Sequence, residues 1–272
     1  MSGPHPTAFM SSPPPDPVVL GREVHAFAEI DSTSAELLRR AALGAPEGTV
    51  AVASTQTAGR VRNGRGWVDR PDASLLFSVL LRPRLTPAHS GLLPLAAGLA
   101  AATALQDRTA ALGGGAIRLK WPNDIVIVDA EAETGYRKLG GILVERSGYV
   151  FVVGIGLNVN GQADDFPVDL QPHVGTLEAI WGRRTHPESL LRQMLARLEQ
   201  AYQHLLRGRT ADIVAAFAAL DICCGRSVCV SGPAGDLTGP ATGIAPDGGL
   251  QIEPTPGETV TLYAGDVSVR LR

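Results

Sequence analysis

The chain has 272 residues, a length that can bury one substantial hydrophobic core and leaves room for a second small domain. Hydrophobic residues make up 44% and charged residues 19%, and the sequence has no apolar run of the length needed to cross a bilayer. The formal net charge of -3 gives no overall attraction for nucleic acid. With no secretory signal pattern at the N-terminus, these properties predict a soluble cytoplasmic protein that binds neither DNA nor membranes.

Three cysteines lie close together, at Cys223, Cys224 and Cys229. No second cysteine pair and no nearby histidines provide the spacing of a zinc site. We therefore expect reduced, partly buried thiols and predict no metal held by protein side chains.

The N-terminal segment has the composition of a disordered tail. Residues 1–20 carry six prolines and few large apolar side chains, which cannot offset the entropy lost on ordering. We place this tail at residues 1–22. No helix-turn-helix pattern precedes the main domain, so a DNA-binding repressor function is not expected.

Apolar periodicity and turn chemistry predict the elements that follow. Two Ser/Thr-x-x-Glu patterns, Thr33 with Glu36 and Thr185 with Glu188, predict capping boxes at helix starts. Helices are expected at 35–43, 92–112, 185–206 and just before residue 221. Strands are expected at 49–54, 75–81, 117–120, 125–128, 139–145 and 149–159.

These elements predict an α+β fold. Strands on short connections favour a mixed or antiparallel sheet, flanked here by helices, over a wholly parallel one. After Cys223 the sequence pattern changes to short β-rich stretches separated by Gly, Pro and Asp-Gly. This pattern is typical of a small barrel. We therefore predict a main domain at 23–222 and a small β-barrel domain at 223–272.

A glycine- and arginine-rich loop lies between the first two predicted strands, from Gln56 to Trp67. Its glycines let the backbone approach a ligand, and guanidinium groups match phosphate and carboxylate oxygens. Trp67 could offer a flat face to a heterocycle. A solvated basic loop or a nucleic-acid patch is the alternative interpretation of this segment alone.

Two further segments carry candidate site residues, K-W-P-N-D from Lys120 to Asp124 and R-K-L-G-G-I-L-V-E from Arg137 to Glu145. A lysine held beside two glycines, as Lys138 is, could place its charge on a carboxylate and then on a developing phosphate charge. Taken alone, however, a lysine at a strand edge is usually a solvated charge, and Asn-Asp is ordinary turn chemistry.

Five segments in this order resemble the biotin protein ligases, specifically the monofunctional type without a DNA-binding domain. The resemblance covers roughly residues 25–270 and implies a synthetase-like catalytic domain with an SH3-like C-terminal domain. The segments are D-S-T-S (Asp31–Ser34), Q-T-A-G-R-V-R-N-G-R-G-W (Gln56–Trp67), K-W-P-N-D (Lys120–Asp124), R-K-L-G-G-I-L-V-E (Arg137–Glu145) and G-I-G-L-N-V-N (Gly154–Asn160).

The resemblance implies specific roles for residues of these segments. Lys138 would contact both reacting groups, Arg62 would lie nearest the adenylate, and Asp124 would orient or deprotonate the acceptor lysine. Biotin would meet Ser32, Thr33, Gln56, Gly140 and Gly141. The loop residues Gly59, Arg60, Arg62 and Arg65 would cover the carboxylate and phosphates, and the nucleotide would meet Trp67, Asn123 and Asn158.

The implied activity is ATP-dependent ligation of biotin. The enzyme would form biotinyl-5'-AMP from biotin and ATP with Mg²⁺, then transfer biotin to a lysine on a biotin carboxyl carrier domain of acyl-CoA carboxylases. We expect a monomer or weak homodimer. A lipoate or other acyl-protein ligase, a non-catalytic biotin or nucleotide sensor, and an RNA-binding module remain alternatives.

One position departs from the family pattern. The family loop usually reads G-R-G-R-x-G-R, but Val61 stands where its second glycine is expected. A β-branched residue is strained wherever φ is positive, at a cost of about 1–3 kcal/mol. We expect either another loop path or weaker binding of biotin and ATP.

Overall fold

The computed structural model describes residues 20–60, 67–68, 73–112, 115–232 and 235–269. Residues 1–19 of the predicted tail lie outside this range, and so do Val61, Arg62 and Arg65. Leu20, at the start of the described chain, is buried, and its N–H donates to the Glu199 carboxylate at 2.8 Å.

The described chain alternates strands with helices and ends in a group of strands. The strands are β1 (Val24–Ile30), β2 (Val50–Gln56), β3 (Ser74–Leu81), β4 (Ile117–Lys120), β5 (Asp124–Val128), β6 (Tyr136–Ser147), β7 (Val150–Asn158), β8 (Ser227–Gly232), β9 (Gly235–Ile244), β10 (Leu250–Thr255), β11 (Glu258–Leu262) and β12 (Asp266–Val269). The helices are α1 (Thr33–Ala42), α2 (Pro87–Ser90), α3 (Leu92–Ala111), α4 (Leu177–Trp181), α5 (Pro187–Leu206) and α6 (Thr210–Leu220).

A mixed seven-stranded sheet forms the centre of the larger part, in the order β1-β2-β3-β7-β6-β5-β4. The β1–β2 pair is parallel, and every other neighbouring pair of this sheet is antiparallel. Every residue of β3 is buried because this central strand is covered on both faces. The predicted α+β class with a mixed sheet flanked by helices is confirmed.

Helices cover both faces of this sheet. On one face, Leu37 of α1 packs against Ala51, Leu80 and Val152. On the other face, α3 lies between the sheet and helices α5 and α6. Since α3 is apolar around most of its circumference, it can be surrounded in this way, which agrees with its prediction as a core helix.

Both predicted capping boxes were wrong. Helix α1 is capped by Ser32, whose hydroxyl accepts from the Ala35 N–H at 3.4 Å, one residue before the predicted cap. Glu36 instead pairs with the two arginines that follow it on the helix. Helix α5 begins at Pro187, and its N-cap residue is His186, which makes no side-chain cap. The backbone N–H of the buried Thr185 donates to the Asn160 side chain at 2.9 Å.

The C-terminal strands form a second sheet, which is antiparallel and ordered β11-β10-β9-β8-β12. This is the small β domain that the Gly- and Pro-punctuated sequence predicts. Its turn at residues 245–249 contacts the main sheet's helix layer and the β4–β5 hairpin, and the Trp121 indole donates to the Gly248 carbonyl at 2.9 Å. The exact boundary between the two domains stays a prediction.

A buried carboxylate ties the two parts together where α6 ends. Asp221 accepts from the backbone N–H groups of Trp121 (2.8 Å), Cys223 (3.0 Å) and Cys224 (3.0 Å). Burial raises the pKa of the Asp221 carboxyl, and it raises the pKa of the Cys224 thiol to about 12. All three cysteines are free thiols, and Cys223 is fully buried.

Candidate functional site

A cavity of about 560 Å³ opens over the centre of the main sheet. The N-terminus of α1, the β4–β5 turn, strands β6 and β7 and the segment 166–174 form its walls. Gly265–Val267 of the C-terminal sheet complete one side. Both parts of the chain therefore contribute to one site.

Glycines, which carry no side chain, form the floor of this cavity. Gly141 on β6 pairs with Gly156 on β7. A Cβ atom added at Gly156 would lie 3.0 Å from the indole ring of Trp67, and one added at Gly154 would lie 2.8 Å from the Ser34 hydroxyl. The glycines therefore let an aromatic ring and a ligand approach the backbone of the sheet.

A buried hydroxyl network forms one end of the cavity. The Ser78 hydroxyl lies 2.8 Å from that of Thr33 and 2.9 Å from that of Ser34. The Gln56 side-chain carbonyl accepts from the Thr33 N–H at 2.7 Å and from its hydroxyl at 3.1 Å. This end can donate and accept several hydrogen bonds at fixed positions, as recognition of a polar ring requires.

Two lysines flank the carboxylate of Asp124 near the other end. Lys138 Nζ lies 2.5 Å from Oδ1, and Lys120 Nζ lies 3.4 Å from Oδ2. Burial by itself would raise the pKa of the Asp124 carboxyl, but the charges of Lys138 and Lys120 outweigh it and hold this pKa below its ordinary value. The Asp124 charge also raises the pKa of Lys120 despite burial. The cluster carries a net positive charge that suits an anionic substrate.

Two amide side chains are oriented by backbone carbonyls of the cavity wall. Asn123 donates through Nδ2 to the Ile142 carbonyl at 2.8 Å, and Asn158 donates to the Gly175 carbonyl at 3.2 Å. Each bond fixes which face of its amide is presented. Both residues line the cavity, and the contact with the nucleotide that the resemblance implies for them stays a prediction.

The described ends of the arginine-rich loop also reach the cavity. Arg60 donates to Glu145 at 2.7 Å, so its guanidinium pairs with a carboxylate of β6. The N–H of Trp67 donates to the Gly59 carbonyl at 3.2 Å. The indole Nε1 is buried and has no hydrogen-bond partner among the described residues.

Most of the predicted site residues that the structure describes line this one cavity. Gly59 and Gly140 are not among the lining residues, and the predictions for Arg62 and Arg65 lie outside the described residues. Those that line it are Ser32, Thr33, Gln56, Arg60, Trp67, Asn123, Asp124, Lys138, Gly141 and Asn158.

Other lining residues were not predicted. Ser78 is a single polar residue in the apolar run of β3, and that interruption was the available signal. Lys120 belongs to a motif that was recognised, but no role was given to it. Phe166, Leu170 and Val174 also line the cavity, and Asp266 reaches it from the second sheet. These are tertiary contacts that no local sequence pattern predicts.

Comparison with known proteins places this geometry in a family. Residues 26–161 match the biotin/lipoate A/B protein ligase family, and residues 223–270 match the biotin protein ligase C-terminal domain. A biotin--[acetyl-CoA-carboxylase] ligase of Mycobacterium tuberculosis is 36% identical over 254 residues, which is 92% of this chain and 90% of that protein. The chain belongs to the biotin/lipoate A/B protein ligase family. The resemblance found in the sequence is confirmed.

Other members of this ligase family align over nearly the whole chain. The bifunctional ligase/repressor BirA of Escherichia coli is 31% identical over 92% of this chain and 75% of its own length. The structure of the biotin protein ligase from Aquifex aeolicus in complex with biotin and ATP superposes with a TM-score of 0.77 at 28% identity. That superposition covers 91% of this chain and 98% of the Aquifex chain.

Proposed function

We infer that this chain is a biotin protein ligase, which activates biotin with ATP and transfers it to a lysine of an acceptor protein. The observation that carries this inference is a single cavity with a hydroxyl network at one end and the Lys138–Asp124 pair near the other. The M. tuberculosis relative named for ligating biotin to acetyl-CoA carboxylase, and the Aquifex structure holding biotin and ATP, support it.

The hydroxyl end favours biotin over lipoate as the acid that is activated. The ureido ring of biotin offers two N–H donors and a carbonyl acceptor, whereas the dithiolane ring of lipoate has no strong donor or acceptor. Thr33, Gln56 and Ser78 are hydrogen-bonded to one another, and a dithiolane would offer no polar atom to the hydrogen-bonding capacity that this network has left over. Each buried donor or acceptor that the ligand fails to match disfavours that ligand by about 1–3 kcal/mol.

Adenylation begins with the biotin carboxylate. One carboxylate oxygen attacks the α-phosphorus of ATP, the new C–O–P linkage forms, and the bond to the β-phosphate oxygen breaks to release pyrophosphate. No protein nucleophile is needed, so the chain must position the reactants and neutralise their charge. Lys138, the more exposed of the two lysines on Asp124, is placed to do this. Arg62 is proposed to assist it.

Transfer follows when the acceptor amine attacks the acyl carbon. The amide bond forms, the acyl C–O bond breaks with its electron pair leaving on AMP, and the proton that the amine loses passes to solvent. Because Lys138 and Lys120 hold its pKa low, Asp124 is a carboxylate anion at neutral pH. A carboxylate of low pKa is a weak general base, so we propose that Asp124 chiefly attracts and orients the acceptor lysine.

Magnesium enters this reaction with ATP. Among the described residues no group of three His, Cys, Asp or Glu side chains could hold a metal ion. We propose that Mg²⁺ would accompany the phosphate oxygens of ATP.

None of the described helices is both long and apolar enough to span a bilayer. A carboxylase carrier domain as acceptor, a cytoplasmic location and a monomer or weak dimer stay predictions.

Biotin-dependent exchange of labelled pyrophosphate into ATP tests the first half-reaction. We expect exchange with biotin and none with lipoate. Lys138→Ala should reduce exchange by at least about a hundredfold, because a charge aimed at the transition state is lost, while the thermal unfolding midpoint stays close to that of the unmodified protein. Arg192→Ala, which removes an exposed cation of α5 that does not line the cavity, serves as the control. Exchange with lipoate alone would reassign the substrate, and none with either acid would refute the ligase function.

A further inference from the structure

The chain contains only two lysines among its 24 basic Lys and Arg residues, and both contact Asp124. They reach different oxygens of its carboxylate, Lys120 from β4 and Lys138 from β6. Lys120 and Asp124 are also direct partners in the β4–β5 hairpin register. The carboxylate therefore has two cationic partners held on separate strands.

The two lysines differ in how freely they can move. The Lys120 side chain is 13% exposed, while that of Lys138 is 43% exposed. The hairpin register places Lys120 directly opposite its partner, whereas Lys138 lies on β6 and is the more exposed of the two lysines that line the cavity. Lys138 can therefore turn to an incoming anion, and Lys120 is the partner that stays.

Substrate binding would create an unpaired charge if only one lysine were present. The proposed function requires Lys138 to contact the reacting carboxylate and phosphate, which draws its charge away from Asp124. A carboxylate that is largely buried and has lost its partner either takes up a proton or moves toward solvent. Either change would remove the group that attracts the acceptor lysine.

We propose that Lys120 is a positioning residue that holds the Asp124 carboxylate in place for the acceptor lysine while Lys138 engages the substrate. The inference rests on the proposed function, since it needs Lys138 on the reacting groups. Lys120 acts in the transfer step through Asp124 and makes no contact with the reacting atoms. Its removal should therefore affect transfer more than adenylation.

Two buried groups that interact with Lys120 cannot replace its charge. Tyr136 on β6 and Cys223 after α6 interact with Lys120, and burial raises the pKa of both, so they are neutral at physiological pH. His173 and Asp266 line the same cavity from the 166–174 segment and from the second sheet. Asp266 is an acid and cannot compensate a carboxylate. With Lys138 committed to substrate, Lys120 is the lysine left to compensate Asp124.

The test separates the two half-reactions in Lys120→Met. Transfer is measured in single turnovers from preformed biotinyl-5'-AMP to a biotin carboxyl carrier domain, and adenylation is measured by pyrophosphate exchange. We expect transfer to fall at least about tenfold more than exchange. Loss of the Lys120 charge raises the pKa of Asp124, so the acid limb of the transfer rate should move upward by about one pH unit or more.

Three further variants make the result specific. Lys120→Arg keeps the charge and should restore the acid limb, and Arg118→Met removes a charge from the same strand and should leave both half-reactions unchanged. In an Asp124→Asn background, Lys120→Met should have no additional effect on transfer, because its partner is already neutral.

The possible failures can be told apart. If the unmodified protein shows no biotin-dependent exchange, the proposed function itself fails. If exchange is present but Lys120→Met transfers with an unshifted pH profile, the positioning role is overturned. The role is also overturned if Lys120→Met slows transfer equally with and without Asp124, since Lys120 would then act on the substrate directly.

Discussion

Ser78 is the residue on which the hydroxyl end of the cavity converges. Its side chain is fully buried in the central strand β3 and contacts the hydroxyls of both Thr33 and Ser34. Those two residues begin α1, so Ser78 links the position of the helix N-terminus to the centre of the sheet. A buried hydroxyl is stable there only because it is hydrogen-bonded.

Replacing Ser78 with alanine should weaken biotin binding. The change leaves two buried hydroxyls short of a partner, so we expect the KM for biotin to rise by at least about tenfold and stability to fall by about 1–2 kcal/mol. Exchange kinetics at varied biotin concentration and urea unfolding provide the measurements. Ser74→Ala changes another buried serine of β3 that lies outside the cavity and should leave the KM unchanged. An unaltered KM in Ser78→Ala would separate this network from the biotin pocket.

The sequence predicts site residues that stand in recognisable motifs better than isolated ones. Asp124 and Lys138 stand in short motifs whose residue types already suggest chemistry, and the structure brings them within 2.5 Å. Ser78 could be recognised only as an interruption of an apolar run. The pairing of Arg60 with Glu145, 85 positions apart in the chain, depends on how the loop meets β6 and has no local signature.

Among the elements, the β4–β5 hairpin is held by tertiary hydrogen bonds on two sides. Its Trp121 is bound at the backbone by Asp221 and at the indole by Gly248, so the end of α6 and the second sheet both fix it. The same hairpin carries Lys120 and Asp124. Rigid support of this kind keeps a charged cluster in a productive geometry.

Asp221→Ala should destabilise the protein and reduce its activity together. Three backbone N–H groups would lose their acceptor in a buried place, so we expect a loss of about 3–5 kcal/mol in the free energy of unfolding. Urea unfolding measures the free energy of unfolding. Pyrophosphate exchange measures the activity, without denaturant and at a temperature where the variant is folded. Asp212→Ala, an exposed acid of α6, is the matched control. A stability loss no larger than that of this control would contradict the bracing role of Asp221.

Element positions followed from periodicity, while helix starts did not. Strands such as β3 and β11 show themselves as apolar or β-branched runs, and α3 by its length and composition. The cap of α1 fell one residue earlier than predicted because Ser32 and Thr33 are both competent caps, and Thr33 is drawn instead to Gln56. Tertiary hydrogen bonds therefore determine which of these two residues caps the helix. Strand β1 was not predicted because it is half-exposed and lacks an apolar run.

For the molecule as a whole, the small number of lysines limits the reaction of the enzyme with the acyl-adenylate that it forms. An acyl-adenylate acylates amines, whereas guanidinium groups stay protonated and unreactive. The only side-chain amines are those of Lys120 and Lys138, and both are paired with Asp124. Outside the cavity, the chain therefore offers the intermediate no lysine to attack.

Incubation with biotin and ATP but without acceptor should leave the side chains of the protein unbiotinylated. Peptide mass spectrometry should find biotin on the α-amino group at most. Arg146→Lys adds an exposed amine on β6 and should become labelled under the same conditions, which shows that the intermediate is present. Labelling of Lys120 or Lys138 in the unmodified chain would mean that the Asp124 pairing does not protect them.

The cavity takes its walls from positions as far apart in the chain as Ser32 and Val267. During synthesis on the ribosome, the residues of the glycine floor and of the hydroxyl network are synthesised long before those of β12. A nascent chain can thus fold its main sheet early but cannot enclose the two substrates until the second sheet has docked. The chain would therefore be catalytically inactive during most of its translation, and no reactive adenylate would form on an incomplete chain.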